Sequence, residues 1–158
     1  MKTLLAFFTL LSLLLAPAAS AAETIYTKLK EAGTFTLLIT ALEATGQDRL
    51  MQFGTGPYTF FAPTDAAFAK LPLGFFEHLL RPENKDKLDN ILDYHRVHVR
   101  LDSIELRPSR LKTQNVTAVL INVFKGPLIT VNGVEVIQAD VEASNGVIHI
   151  IDTVLMPK

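Results

Sequence analysis

The chain contains no cysteine among its 158 residues. This absence excludes disulfide bonds, a cysteine nucleophile, thiolate zinc sites and membrane anchoring through a lipidated cysteine. A domain of this size without disulfides has to draw its stability from a hydrophobic core. Hydrophobic residues make up 49% of the sequence, which is enough to supply such a core.

A strong excess of charge of either sign is also absent. The chain has 15 basic and 16 acidic residues, so its formal net charge is −1. Domains that bind nucleic acids typically carry a basic stripe on a basic domain, and this composition gives no indication of one. We therefore predict no nucleic-acid partner.

The motifs of the common enzyme classes are missing as well. There is no Gly-x-Ser-x-Gly elbow for a serine nucleophile and no glycine-rich loop for phosphates. His95 and His98 could share one face of a helix, but on a strand they would point to opposite faces. No carboxylate pattern completes a zinc site around them. We predict a protein without catalytic residues, a bound metal or a cofactor.

The first 21 residues have the form of an export signal. Lys2 supplies a positive charge, residues 4–15 form an uncharged run, and residues 19–21 read Ala-Ser-Ala, a typical cleavage site. The run is too short to span a membrane comfortably, because a helix needs roughly 20 apolar residues. We predict cleavage after Ala21, leaving residues 22–158 as one domain without a membrane-spanning segment, in the periplasm or outside the cell.

The hydrophobic periodicity changes along the chain. Apolar residues at helical spacing predict several helices before residue 95, with Thr34 and Asn84 as N-caps of two of them. From residue 117 onward the pattern predicts strands, with turns at Asn132-Gly133 and Asn145-Gly146. Helices early and strands late predict the α+β class within a single domain.

Residues 58–68 combine a strand, a proline and a helix start. Tyr58 to Ala62 form a continuous apolar run, typical of a strand that is buried on both faces. Pro63 ends the strand because it has no N–H to donate. Thr64 is then well placed as an N-cap, and Asp65 is favourable at the positive end of a helix. We interpret both side chains as structural.

The C-terminal segment couples the Asn145-Gly146 turn to a long apolar strand that ends before Pro157. His149 lies among isoleucines in this strand, and we interpret it as structural. Asp152 would be a carboxylate inside the apolar run, so it has to be paired or hydrogen-bonded. We predict that it binds backbone amides or an arginine near the strand end.

Residues 59–68 and 145–157 resemble the first and second boxes of the fasciclin-like domain family. Between them, the segment that ends in Tyr94-His95 resembles the family's Tyr-His segment. The resemblance implies a β-wedge of two small sheets with several helices packed around it. It also implies extracellular adhesion, with Tyr94-His95 and Asp140-Val141 as binding residues. Asp140-Val141 stands where animal members carry an Asp-Ile pair implicated in integrin binding.

Residues from His95 onward predict a strand whose two faces differ. Arg96, His98 and Arg100 would form a basic stripe, either an ordinary solvated face or a site for acidic glycans or lipid headgroups. His95 would lie on the opposite, apolar face. We interpret it as a hydrogen-bonded core residue, with a recognition role as the alternative.

Taken together, these features predict an exported, non-catalytic adhesion or surface-interaction module that binds protein or cell-surface partners, including glycans. The alternative is a carrier of an apolar small molecule such as a carotenoid or a lipid, since some fasciclin-like proteins bind carotenoids. A carrier needs an apolar groove that is open to the surface. Phe75, Phe76 and Met51 are candidates for its lining, although the same residues could belong to the core.

Overall fold

The computed structural model describes residues 23–107, 109–113, 118–123 and 128–157. The export signal predicted for residues 1–21 lies outside this part of the chain. The helices are α1 (Ile25–Ala32), α2 (Thr36–Thr45), α3 (Asp48–Phe53), α4 (Asp65–Phe68), α5 (Phe75–Leu79), a 3-10 turn (Pro82–Asn84) and α6 (Lys85–Tyr94). The strands are β1 (Tyr58–Pro63), β2 (Arg96–Val97), β3 (Ser109–Lys112), β4 (Ala118–Val123), β5 (Ile129–Val131), β6 (Val134–Ala143) and β7 (Gly146–Ile151).

The seven strands follow the order β2-β1-β7-β6-β5-β4-β3. Among the strands that the structure describes, β1 and β7 run parallel, and the other neighbouring strands are antiparallel. The long strand β6 joins two halves of the sheet, because its first residues pair with β5 and the remainder with β7. A bridge from Val97 to Thr113 links β2 to the residue after β3, so the sheet curls until its edges meet. This arrangement confirms the predicted α+β class.

The core is divided by the β1–β7 half of the sheet. One cluster lies between the helices and the sheet and contains Phe60 and Ile148. The other cluster lies on the opposite side and contains Phe61 and Ile151. All six residues of β1 are buried, which confirms the prediction of a strand covered on both faces.

Of the two predicted helix caps, Thr34 is wrong, and Asn84 is correct in position but does not cap the helix through its side chain. Thr34 precedes α2, but the helix begins at Thr36, and its Leu37 N–H donates instead to the carboxylate of Asp65 at 2.8 Å. Asn84 does occupy the N-cap position of α6, but its side chain donates to the backbone carbonyl of His78 at 2.8 Å. In both cases the predicted cap bond is replaced by a bond to a residue outside the helix: Asp65 for α2 and His78 for α6.

The two Asn-Gly turns differ in backbone geometry. Asn132 and Gly133 both have positive φ, 52° and 81°, as a two-residue hairpin turn requires. Gly146, in contrast, is not among the glycines with positive φ. A larger residue is excluded at position 146 for another reason. A Cβ added to Gly146 would overlap the backbone carbonyl of Tyr58 on the neighbouring strand.

Candidate functional site

Residues 98–106 form a connection between β2 and β3 that has neither helix nor strand. Two of its apolar side chains face solvent, Val99 with 40% and Ile104 with 85% of its surface exposed. Thr59 on β1 fixes the beginning of this loop. Its hydroxyl donates to the Val99 carbonyl at 2.5 Å and accepts from the Leu101 N–H at 2.9 Å. The loop is therefore attached to the sheet by a side chain rather than by strand pairing.

His149 on β7 fixes the middle of the loop. Its Nε2 lies 2.8 Å from the carbonyl oxygen of Leu101, and a carbonyl can only accept, so Nε2 carries the proton. Nδ1 is then free to accept, and it receives the backbone N–H of Asp140 at 3.3 Å. Burial lowers the pKa of His149, while the Leu101 carbonyl and nearby carboxylates partly oppose this effect. The imidazole is therefore held neutral with both nitrogens bonded.

Asp140 on β6 approaches the same loop from the other side. It has a positive φ of 60°, and it lies within a register shift between Gln138 and Val141. Its carboxylate accepts the Ser103 N–H at 2.6 Å and the Ser103 hydroxyl. Partial burial alone would raise the pKa of Asp140, but the bonds from Ser103, with charges nearby, hold it below its usual value. The irregular strand thus directs a charged carboxylate towards the loop.

Arg100 completes the attachment of the loop. Its guanidinium donates to Glu142 at 2.6 Å and to the Gly146 carbonyl at 3.2 Å, and it lies 3.0 Å from Asp102. The residues gathered here are two exposed apolar side chains, one guanidinium, one hydroxyl and four carboxylates. We call this set the loop surface; it consists of Val99, Arg100, Asp102, Ser103, Ile104, Glu105, Asp140 and Glu142.

The loop surface offers shape, apolar contact and charge, but no assembled catalytic group. Ser103 bonds to a carboxylate, and His149, the imidazole that fixes the loop, has both nitrogens bonded to other groups. Within the part of the chain that the structure describes, no group of three or more His, Asp and Glu side chains could hold a metal ion. The groups of the loop surface can contact a partner through apolar surface, hydrogen bonds and charge.

The predicted pair Tyr94-His95 lies in the core, with 3% and 1% of each residue exposed. The Tyr94 hydroxyl accepts from Asn132 at 2.6 Å. His95 donates from Nδ1 to the Ile91 carbonyl at 2.7 Å and accepts the Leu155 N–H on Nε2 at 2.9 Å. These contacts are those of a hydrogen-bonded core residue. The adhesion role implied for the pair stays a prediction, and it would require both side chains to leave the core.

The second predicted pair divides between surface and core. Asp140 is exposed and bonds to the loop, whereas Val141 packs against the cluster beneath the helices. Their roles in binding also stay predictions. Only the Asp140 carboxylate is placed where a partner could reach it.

The predicted basic stripe is wrong. β2 ends at Val97, so the alternation of faces stops after two residues. Arg96 is only 3% exposed, and its guanidinium donates to Asp93 at 2.9 Å and to Gln47 at 3.1 Å. Arg100 is tied to carboxylates, which leaves His98 as the one exposed member. A site for acidic glycans or lipid headgroups therefore has no support in this segment.

The residues of the two boxes hold the scaffold together. The Thr64 hydroxyl accepts the Ala67 N–H at 3.2 Å and caps α4. The Asn145 side chain accepts the Ile25 N–H at 2.9 Å and donates to the carbonyls of Met51 and Gly54 at 2.8 and 3.3 Å. Asn145 thus joins the start of α1, the end of α3 and the start of β7.

Asp152 differs from its prediction as a buried carboxylate. The strand ends at Ile151, so Asp152 lies just beyond it with 39% of its side chain exposed. Its partner is Lys70 at 2.7 Å and not an arginine. The bond from Lys70 lowers the pKa of Asp152.

The structure also bears on the residues named for an apolar carrier. Met51 is fully buried and Phe76 is 8% exposed, so both belong to the core. Phe75 borders an open cleft of about 350 Å³, whose lining is Phe75, His78, Leu79, Lys87, Asn90, Ile91, Met156 and Pro157. A second groove, of about 460 Å³, is lined by Gly33, Thr34, Thr64, Asp65, Ala66, Ile137, Gln138 and Ile150.

Sequence reasoning missed Thr59, Ser103 and Ile104. The apolar run of β1 hides the role of Thr59, because a threonine is ordinary in a strand. Asp102-Ser103 has the composition of a turn, which could have indicated an exposed loop. No local signal indicates that Asp140, 37 residues later, holds this loop.

The chain is similar to several known proteins. The model of the family described as "Fasciclin domain" matches residues 33–157. Protein sll1483 of Synechocystis sp. is 44% identical over 124 residues, which cover 78% of this chain and 68% of the relative. A second Synechocystis protein, sll1735, is 38% identical and covered to 89% of its length. The transforming growth factor-beta-induced protein ig-h3 of Sus scrofa is 37% identical over 145 residues.

The match to ig-h3 covers 85% of this chain but only 19% of that protein. Among solved structures, a FAS1 domain pair from the insect cell adhesion molecule fasciclin I superposes with a TM-score of 0.65 at 28% identity. That match covers 79% of this chain and 46% of the fasciclin I chain. No helix among the described residues is both long and apolar enough to cross a membrane. By its sequence and its fold, the chain belongs to the fasciclin domain family.

Proposed function

We propose that this protein is an exported, non-catalytic interaction module that binds a protein partner through the loop surface, in the periplasm or outside the cell. The observation that carries the proposal is Ile104, which is 85% exposed beside a carboxylate that is fixed in position. An isolated exposed apolar residue is common on protein surfaces. Here it lies on a loop that is held in place by side chains from three strands and by Arg100 of the loop. The strand residues are Thr59, His149 and Asp140.

The attachment of the loop matters for affinity. A free loop loses conformational entropy when a partner orders it, and this loss weakens binding. Thr59, His149 and Asp140 order the backbone between Val99 and Ser103 before any partner arrives. The loop therefore loses its conformational entropy when the domain folds and not when the partner binds. Binding loops are commonly held in this way by a rigid sheet.

The relatives support the same class of function. The domain pair that superposes on this chain comes from a cell adhesion molecule. The match spans less than half of the fasciclin I domain pair and about a fifth of ig-h3, so the partners of those proteins do not transfer directly to this chain. The export signal predicted for residues 1–21 and the family together support a location outside the cytoplasm, where such partners are found.

Capture from the native envelope tests the proposal. Residues 22–158 serve as bait, and Ile104→Ser and Asp140→Ala are compared with Leu73→Ser, which removes a fully exposed leucine elsewhere. Truncating a hot-spot residue of an interface costs about 2 kcal/mol or more, which is roughly thirtyfold in affinity. We expect both loop variants to lose the captured partner while Leu73→Ser retains it. Equal capture by all variants would place binding elsewhere on the domain.

A carrier of an apolar small molecule is the second candidate, favoured by the cleft beside Phe75. Its volume is at the lower end of the range for small-molecule sites, roughly 300–1,000 Å³. Solvent extraction of the native protein, followed by absorbance and mass spectrometry, tests this function. A carotenoid or lipid that is retained by wild type and lost from Phe75→Ser would favour the carrier. Colourless and lipid-free protein that still captures a partner would favour the interaction module.

A further inference from the structure

We propose that His149 is a pH-dependent junction that holds the loop surface together at neutral pH and releases it in mild acid. This inference deepens the proposed function, since it concerns regulation of the same surface. The junction itself can be measured without any partner. A failure of the junction and a failure of partner binding are therefore separate results.

The geometry follows from the use of both ring nitrogens. Nε2–H donates to the Leu101 carbonyl on the loop, and Nδ1 accepts the Asp140 N–H on β6. A protonated imidazole carries a hydrogen on each nitrogen. Nδ1–H would then face the Asp140 N–H, which is a contact between two donors. The bond from Asp140 is then lost, while Nε2–H still donates to Leu101, so the Asp140 backbone is no longer tied to the loop through this ring.

The surroundings of His149 set the pH at which this happens. The ring is 0% exposed and lies against Phe61 on β1, with ring centroids 5.7 Å apart. On β6 it faces Asp140, and on the loop it faces Asp102, whose charge is shared with Arg100. Burial lowers the pKa of His149, the two carboxylates raise it in part, and the net pKa stays below its usual 6.5. The ring is therefore neutral at pH 7 and gains a proton on acidification.

His95 provides an internal comparison. It is also buried, but no carboxylate raises its pKa, which burial lowers to about 4. The carboxylates beside His149 favour its protonated form, so His149 should take up a proton before His95 does. The loop is then released as the pH falls below neutral, before the bond from Leu155 to His95 is lost.

Release of the junction would act on the groups that a partner contacts. Asp140 has a positive φ, and its N–H bond to His149 fixes the backbone at that position. The same residue holds Ser103 through its carboxylate, and Ser103 precedes the exposed Ile104. When the Asp140 backbone shifts, the carboxylate and Ile104 lose their fixed separation. Binding through the loop surface would weaken accordingly.

Amide hydrogen exchange, followed by NMR and corrected for the intrinsic effect of pH, tests this inference on residues 22–158. We expect the protection of the Ser103 and Asp140 amides to fall several-fold between pH 7 and pH 5, because the pKa of His149 is lower in the closed junction than in water. The Gly46 amide, whose bond to the Leu42 carbonyl involves no titrating group, should change less over the same range. Unchanged protection of Ser103 and Asp140 at pH 5 would overturn the proposal.

Three variants separate the junction from general acid sensitivity. His149→Gln keeps a side chain that can donate and accept but does not titrate, so its Ser103 protection should be independent of pH. His98→Gln removes the exposed histidine of the loop and should behave as wild type. His149→Phe lacks both bonds, and its folded fraction should show low protection at both pH values. A pH response that survives in His149→Gln would assign the effect to another group.

Discussion

The carboxylate of Asp65 accepts a hydrogen bond from the backbone N–H of Leu37 at 2.8 Å, although 28 residues separate them. Leu37 is in the first turn of α2, where N–H groups have no partner within the helix. Asp65 also donates its own backbone N–H to the Thr34 carbonyl at 2.9 Å. One residue at the start of α4 therefore caps a second helix and fixes the chain before it.

This relationship predicts a measurable loss of stability in Asp65→Ala. The variant leaves the Leu37 N–H without its partner, and loss of an N-cap typically costs about 1 kcal/mol. We expect urea denaturation to show a decrease of that size. Asp65→Asn keeps an acceptor and should lose less, while Glu77→Ala on an exposed helix face should change little. A loss in Asp65→Ala no larger than in Glu77→Ala would contradict the capping role.

The Asp65 contact also illustrates what the sequence could and could not predict. The turns at Gly33, Gly46 and Asn132-Gly133 could be predicted, because their geometry depends on neighbouring residues. Thr34 was misassigned because the cap of α2 comes from a distant helix. Sequence periodicity indicates which face of a helix or strand is apolar. It does not indicate which distant residue will cap a helix terminus in the folded protein.

The same limit applies to the loop surface. Asp140 was identified through resemblance, but its contact with Ser103 depends on register shifts in β6 that no local pattern indicates. The sequence pattern predicts an exposed Arg96 because it treats the alternation of strand faces as continuing beyond Val97, where β2 ends. Burial of its charge depends on Gln47 and Asp93, which tertiary packing brings to the same place. Elements could thus be predicted well, and contacts between them poorly.

Asn145 should be more sensitive to substitution than any exposed asparagine or serine near it. Its side chain bonds to Ile25, Met51 and Gly54, and the residue is 6% exposed. Removing a side chain that satisfies buried backbone groups costs about 1–3 kcal/mol for each group left unpaired. We expect Asn145→Ala to lose several kcal/mol in chemical denaturation. The neighbouring exposed Ser144→Ala is the control, and a similar small effect in both would disprove the role of Asn145.

Gly146 and Gly133 should respond differently to alanine. An added Cβ at Gly146 would overlap the Tyr58 carbonyl and force β1 and β7 apart. At Gly133 nothing lies within 4 Å, and the cost comes only from a φ of 81°. We expect Gly133→Ala to lose roughly 1 kcal/mol, in keeping with the cost of a left-handed conformation for a residue with a side chain. Gly146→Ala should lose clearly more, as judged by thermal unfolding; the reverse order would contradict the close approach of the two strands.

His95 makes the stability of the domain dependent on pH. The folded state holds its ring neutral with a pKa of about 4, whereas the unfolded chain binds a proton near pH 6.5. Between these values the unfolded state binds more protons, so stability is complete above about pH 6.5 and falls as the pH drops towards 4. The shift corresponds to a loss of roughly 3 kcal/mol over this interval.

Urea denaturation at several pH values measures this dependence, and a His149→Gln background removes the contribution of the second buried imidazole. In that background His95→Gln should be less stable at pH 7, because an amide cannot reproduce both bonds to Ile91 and Leu155. Its stability should nevertheless vary less between pH 6.5 and pH 4, because the titrating group is gone. An equally steep dependence with and without His95 would show that another group controls acid unfolding. A shallower dependence of the unfolding free energy on pH in the His95→Gln variant would establish His95 as the acid-sensitive residue of the core.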